Sequence, residues 1–441
     1  MIRLILFFVS LSATLLIGAG CLPCCAQPVR LSVDSLFRLI DERSRTVRLQ
    51  TLRVDDAGEG ESVARSHRLP SLDASLSVGY LGNGHLSDRD FSGGMSVHNP
   101  HSANNFAVEA MQVVYSGGAV SGGIRLAELN TEVAKLDLEQ GRQQVRFLML
   151  GWLIDLQCLR NRRRVLDENI GLARRMLEDM RTRREEGVVL QSDITRYELQ
   201  LEEVRLQREK TDESLRTINY RLANALGFPV PDTEFEPELP PVDLSAPVAA
   251  ESHWQQVARG SNLSLKRAGF TVDIMETNSR IVAADKRPRL FLYAYGKFDS
   301  PIVTEVPVLN KNFMYWGFGV GMSFRISSLY TANRRIRQAR IAEMESREAY
   351  ELRLENVQND VQAAYESYRT AATELRTREK SLELALRNYD IVSDRYANGM
   401  VLVTDMVDAA NVRLASEIGL ENAKTMLLFC YYRLKYITDT L

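Results

Sequence analysis

From Leu354 to Tyr396 the chain carries a stripe at Leu354, Val357, Val361, Ala364, Tyr368, Ala371, Leu375, Arg378, Leu382, Ala385, Tyr389, Val392 and Tyr396, alternating steps of three and four with Arg378 its one charged member. A seven-residue period kept up for this long predicts a helix packed along its length against another, as in a coiled coil. No proline interrupts 120–186 or 330–398, so each is expected to be one helix about 100 Å long at ~1.5 Å per residue. The shorter helical stretches 31–66 and 189–226 together reach about the same length. They are expected to lie end to end beside a long helix.

Between the helices the period falls to two. Leu72, Ala74, Leu76, Val78 and Tyr80 alternate with Ser71, Asp73, Ser75, Ser77 and Gly79, and Trp316, Phe318, Val320, Met322 and Phe324 alternate with Tyr315 and Gly317, Gly319, Gly321 and Ser323. Strands are therefore predicted near 71–80 and 314–324, with one apolar face and one small or polar face, the pattern of lipid-facing and lumen-facing positions in a membrane barrel. Strands near 104–113 and 289–297 are less regular, because Glu109 interrupts the first and the second is apolar on both faces from Leu290 to Tyr295. Each is close to the ~9–11 residues that cross a bilayer at a tilt. Four strands cannot close a barrel when the smallest single-chain barrels use about eight, and an open edge cannot sit in lipid. Several chains must pool their strands. The other reading of the alternation is a soluble secreted coiled-coil scaffold or adhesion protein whose hairpins face a soluble core.

The layout is duplicated. Arg183, Gly187 and Asp193 match Arg395, Gly399 and Asp405 at a constant offset of 212, Pro70 and Pro288 match at 218, and the turn at 116–119 matches 326–329 at 210. This predicts a signal peptide at 1–26, a first repeat at 27–228, a Pro-rich linker at 229–250 and a second repeat at 251–441. The signal is read from Arg3, the apolar run Leu4 to Ile17 and small residues to Ala26. Lipidation at Cys21 is the alternative to cleavage after Ala26. No later window is apolar enough for a membrane helix.

A net charge of −2 in 441 residues gives no reason to expect nucleic acid as a partner. Cys158 and Cys430, the two cysteines beyond the signal, make no disulfide framework. The two imidazoles of His98 and His101 fall short of a metal site, and the Gly-Gly pairs lack the Lys-Ser/Thr of a phosphate loop. No cofactor or metal is expected. Asp405 and Asp408 share a helix face, but Thr404, Asn411 and Arg413 around them supply neither a nucleophile with its base nor a third ligand. No enzymatic activity is expected.

The lead into the first hairpin at Leu69-Pro70-Ser71-Leu72, Tyr115-Ser116-Gly117-Gly118 before the long helix, and both Arg-x-x-x-Gly turns with their following Asp resemble the TolC-like outer-membrane efflux proteins over nearly the whole chain, Leu31 to Tyr436. That resemblance implies a mainly α protein with a membrane β-barrel portion, its tandem-repeat helical hairpins and four strands per chain trimerising into a twelve-stranded barrel and a periplasmic α-helical tunnel. It implies an outer-membrane exit duct of a tripartite efflux or secretion system, a homotrimer in outer-membrane lipid that works with a periplasmic adaptor and an inner-membrane transporter. The adaptor-docking tips would be Glu186, Gly187, Val188 and Val189, with Asn398, Gly399, Met400 and Val401. Asp405, Asp408 and Asp193 would be carboxylates at the tunnel constriction, and Arg196 a gate partner.

Overall fold

The computed structural model describes residues 28–230, 233–239, 249–305 and 307–441. The signal segment 1–26, Cys21 and part of the Pro-rich stretch 229–250 lie outside the described residues. The chain divides into two compact units, and each draws on both halves of the sequence: Met1–Ser44, Leu148–Leu244 and Ala371–Phe429 in one, Arg45–Phe147, Ser245–Thr370 and Cys430–Leu441 in the other. Two helices are long, α3 at Ala119–Glu185 and α7 at Ser328–Ala397, each within two residues of its predicted bounds. The heptad stripe of α7 is an inward face, with Val357, Val361, Ala364, Tyr368, Ala371, Leu375, Ala385 and Tyr396 all buried. Arg378 stands exposed and pairs with Glu374; its side chain passes over Gly419.

The second unit holds the sheet. Strands β2 (Ser71–Tyr80), β5 (Ser102–Tyr115), β7 (Arg289–Ser300) and β8 (Phe313–Ser323) run antiparallel in the order β2-β5-β7-β8, and the tip of the first hairpin carries a small ladder of β3 (Gly84–Leu86) and β4 (Met95–Val97). The register sets Leu72, Ala110, Ala294 and Phe318 in one row and Leu76, Phe106, Phe298 and Met314 in another. Both rows lie on the apolar face, where Leu72, Leu76, Trp316, Phe318, Val320 and Met322 remain exposed.

The two strands with imperfect alternation are explained on the other face. Glu109 accepts from Lys297 at 2.8 Å, and Asn105 and Tyr315 both donate to Asp299. Phe291, Tyr293 and Tyr295 lie on this face as well, because Gly321, Gly319 and Gly317 stand opposite them on β8. A Cβ on Gly319 would lie 2.7 Å from the Tyr293 hydroxyl, and one on Gly317 the same distance from that of Tyr295. The rings of β7 thus lie across a glycine track, a device that makes up for the contacts glycine itself cannot offer in a strand. His101 has a structural place at the hairpin tip, stacked on Tyr80 and held to the Leu81 carbonyl through Nδ1.

The helical stretch 31–66 is broken. It forms β1 (Val29–Ser32), α1 (Val33–Arg43) and α2 (Arg45–Ser66), with Ser44 at φ −66° and ψ 122° between the helices. The second repeat breaks at the matching place: α5 (Glu251–Ser261) and α6 (Leu263–Ala283) meet at Asn262, φ −58° and ψ 116°. Asn262 stabilises its break by accepting from the Leu265 amide and donating to the Ile437 carbonyl.

The stretch expected to be a linker also contains structure. Strand β6 (Phe235–Glu238) pairs in parallel with β1. Phe235 is buried against Phe228, with its amide held by Asn219 and its carbonyl by Arg160. The same unit contains α4 (Gln191–Leu226) and most of α8 (Val403–Ile437). Among the described residues no helix is long and apolar enough to cross a membrane.

The paired hairpin tips as candidate functional site

In the first unit the ends of α3 and α4 form one helical hairpin, and those of α7 and α8 another. Both turns are built alike. At the first, Val188 N donates to Arg183 O and Gly187 N to Arg184 O; at the second, Met400 N donates to Arg395 O and Gly399 N to Tyr396 O. These are the paired bonds of a Schellman motif, which places its C′ residue in the left-handed region. Gly187 has φ 80° and Gly399 φ 70°, a conformation that glycine adopts without steric cost.

The hairpins share a core. Leu166, Leu177 and Met180 of α3, Ile194, Tyr197 and Leu201 of α4, Tyr396 of α7, and Val403, Met406 and Leu414 of α8 are buried in one cluster. Burying an aliphatic or Met side chain contributes roughly 1.5–3 kcal/mol, so this cluster is the main adhesive at the tips. Val189 and Val401 pack against it and are only half-exposed. The apolar side chains that stand clear are Val188, Leu190, Met400 and Leu402, each about two-thirds or more exposed. Glu186, Gly187, Asn398 and Gly399 are exposed with them. Leu190 and Leu402 were not singled out in the sequence, although each directly precedes a helix start.

Polar contacts join the hairpins above the tips. Gln200 donates to Asn411, Asn169 to Glu417 at 2.7 Å and Asn161 to Glu421 at 2.7 Å. Arg413 also binds Glu417, at 2.9 Å, and lies over the Tyr389 ring. At the bottom, Arg183 of α3 donates to the Ala397 carbonyl at 3.0 Å, pairs with Asp179 at 2.9 Å and lies over the Tyr396 ring. A cation on the last carbonyls of α7 completes bonds that the helix leaves open and offsets the negative end of its dipole. The sequence marks Arg183 only through the repeat; its spacing four residues before Gly187 is the available signal.

The predicted carboxylates are distributed unequally. Asp405 and Asp408 are exposed on one face of α8, and Asp193 is half-exposed near the start of α4. Asp405 Oδ2 accepts from the Leu402 amide at 3.1 Å, so it also caps the helix from its third position. Arg196 is exposed, and no ion pair joins it to these carboxylates among the described residues. Cys158 and Cys430 are free thiols, and burial pushes both above the usual thiol range.

Burial also raises the phenols of Tyr197, Tyr389 and Tyr396 above the usual tyrosine value, and the Tyr396 hydroxyl is buried without a hydrogen-bond partner among the described residues. A group whose folded pKa is raised contributes stability that is fully present below its unfolded pKa, ~10 for tyrosine, and is lost as pH rises through the folded value. The tips are expected to melt in alkali above about pH 10, with tyrosinate absorbance from these residues rising together with loss of helical circular dichroism. Full phenol titration at the ordinary tyrosine value with the helices intact would contradict this.

The profile of the Outer membrane efflux protein family matches residues 36–228 and 254–434. No curated protein sequence matches the chain. Among solved structures, the outer membrane protein VceC of Vibrio cholerae is 13% identical with a TM-score of 0.76, covering 92% of this chain and 95% of its own. The Campylobacter jejuni CmeC outer membrane channel is 13% identical with a TM-score of 0.76, covering 92% and 85%. The open state of the Neisseria gonorrhoeae MtrE outer membrane channel is 16% identical with a TM-score of 0.65, covering 92% and 87%. At these identities the likeness speaks for a shared fold.

Proposed function

The chain belongs to the outer membrane efflux protein family and serves as an outer-membrane exit duct; from that premise we propose that it works as a homotrimer, gated at the paired hairpin tips. The observation that carries this reading is the four-stranded sheet. Its apolar face is exposed across β2 and β8, and β2 and β8 each leave an edge unpaired, which lipid does not tolerate. Three copies supply an even, closed barrel of twelve strands.

In this reading the tips open toward a periplasmic adaptor, which seats on Val188, Leu190, Met400 and Leu402 and connects the duct to an inner-membrane transporter. Asp405 and Asp408 of three copies place six carboxylates around one axis, with Asp193 adjoining. Such a ring concentrates cations and disfavours anions. Arg196 occupies the repeat position of Asp408, 212 residues earlier, and is the cation available to bind the ring when the mouth is shut. Substrates pass through passively, and the partners supply the energy.

The test is electrical. Purified protein in planar bilayers is expected to conduct as a trimer and to be blocked from the tip side by multivalent cations. The pair Asp405→Asn and Asp408→Asn keeps the acceptor that caps α8 and removes the charge. Half-block should then need at least about tenfold more cation, because the loss of clustered charge removes the attraction. Unchanged block would sink the carboxylate ring, and absence of conductance would sink the channel.

A further inference from the structure

The polar face of the sheet ends in a cavity. Opposite the helices, at the end the duct turns to the exterior, the loop between β7 and β8 lies against that face. A two-bond bridge holds the loop closed: Ile302 N donates to Leu309 O at 3.0 Å and Leu309 N to Ile302 O at 3.2 Å. Ile302, Val303 and Leu309 of the loop, with Asp299, Phe313 and Tyr315 of the strands, wall a space of about 400 Å³. An apolar lining with a few convergent polar groups, at this size, is the make-up of a small-molecule site.

The rings in it are not accounted for by the glycine track. Phe291, Tyr293 and Tyr295 lie across glycines, but the residues opposite Phe313 and Tyr315 are Asp299 and Lys297. Phe313 is 49% exposed and stacks on Tyr315 with centroids 4.9 Å apart. From Tyr315 the series continues to Tyr295 at 6.2 Å and on to Tyr293 at 6.3 Å, each step within the roughly 4.5–7 Å over which rings attract one another. A solute moving along this face can touch the next ring before it leaves the last.

The charged groups of the cavity are acidic. Asp299 accepts from two neutral donors, Asn105 at 2.7 Å and Tyr315 at 3.1 Å, and the neighbouring cation, Lys297, is held by Glu109 at 2.8 Å. Glu305 borders the cavity from the exposed loop, and no ion pair joins it or Asp299 to a cation among the described residues. Carboxylates and ring faces both attract positive charge. A hard metal ion calls for a cage of oxygen ligands, and among the described residues no three side chains of ligating type are gathered to hold one. Ile302, Val303 and Leu309 offer a strongly hydrated ion nothing. An ammonium clothed in alkyl groups suits both kinds of wall.

We propose that this cavity binds an organic cation of the quaternary ammonium class, with its charge toward Asp299 and Glu305 and its alkyl groups against Phe313, Tyr315 and Ile302. That the cavity faces the lumen rests on the duct reading above; that it holds a cation does not. Solutes of this class then dwell at the exit of the barrel, where neutral and anionic ones pass straight out.

Isothermal titration calorimetry of the full-length protein in detergent, with benzyltrimethylammonium as titrant, tests the site without requiring conduction. Binding is expected, and benzyl alcohol should show none. Asp299→Asn or Phe313→Leu should weaken it about tenfold, the scale of losing one charge or one ring contact to a cation. Glu305→Gln should act in the same direction from the exposed loop with the strands untouched, which guards against a sheet that fails to form. Asp405→Asn with Asp408→Asn should leave binding unchanged. In planar bilayers the same cation, added on the side away from the tips, should interrupt the current; binding without interruption would overturn its place on the path. Absence of binding, or equal binding by the Phe313 and Glu305 variants, would overturn the cavity and leave the duct standing. Binding by a protein that does not conduct would overturn the duct and leave the cavity.

Discussion

Arg183→Ala is expected to destabilise the tips by about 1–2 kcal/mol and to raise the resting conductance of the duct. The guanidinium is only 25% exposed and binds Asp179 together with the Ala397 carbonyl. Hydrogen bonds involving a charged group contribute roughly 1.5–3 kcal/mol each, and Ala397 lies exposed, so its carbonyl is not left dry. Part of that is recovered, because Asp179 is half-exposed and water reaches it. The loss falls where the two hairpins of a chain are joined, so it loosens the closed arrangement before it unfolds the helices. Arg183→Lys should fall between the two, since an ammonium keeps the charge but not the planar fork. Thermal unfolding and single-channel recording check both statements. A variant with wild-type melting and unaltered closed-state current would show that Arg183 is an ornament of the turn.

The second large effect is expected in the sheet. Gly319→Leu should cut the yield of heat-resistant assembled protein severalfold, because its Cβ would start 2.7 Å from the Tyr293 hydroxyl and displace the ring from the track. Forcing extra atoms into such a contact costs typically about 1–3 kcal/mol, and in a symmetric assembly the cost recurs in every copy. Phe318→Leu, one residue away on the opposite face, replaces one apolar side chain with another at a site 78% exposed in the single chain, and should assemble normally. Gel mobility of unheated against heated samples reads both. Equal assembly of the two variants would contradict the assignment of faces.

These two sites also mark the limits of the linear pattern. β2 and β8 were legible because their faces differ simply, apolar against small. β7 was legible as a strand but its two faces were not, since Phe291, Tyr293 and Tyr295 occupy the polar side and are accommodated by glycines some 22 to 30 residues further on, at Gly321, Gly319 and Gly317. A period within one strand cannot register a partner on another. Glu109 looked like an interruption for the same reason, its mate being Lys297. The long helices announced themselves by an unbroken heptad. The breaks at Ser44 and Asn262 carry neither proline nor glycine, and the one at Asn262 is held partly from outside the segment, by the bond from Asn262 to the Ile437 carbonyl. Strand β6 was hidden in a Pro-rich stretch because its pairing with β1 spans most of the first repeat.

At the tips the turns and carboxylates could be placed from glycine spacing and the repeat. What each carboxylate does locally could not. Asp405 was read as a ring member, and in the single chain it is first a cap for α8. Val189 and Val401 were expected on the outer surface, and their side chains turn toward the shared core while Leu190 and Leu402 stand outside. The difference is one residue of helical phase, below what spacing alone resolves.

The unpaired edges of β2 and β8 also bear on how the protein is made. A chain that arrives alone at the membrane has no low-energy state within it, since each edge would carry bare peptide groups into hydrocarbon. In the proposed trimer, insertion and subunit encounter then become one event, whose rate rises faster than in proportion to the supply of chains.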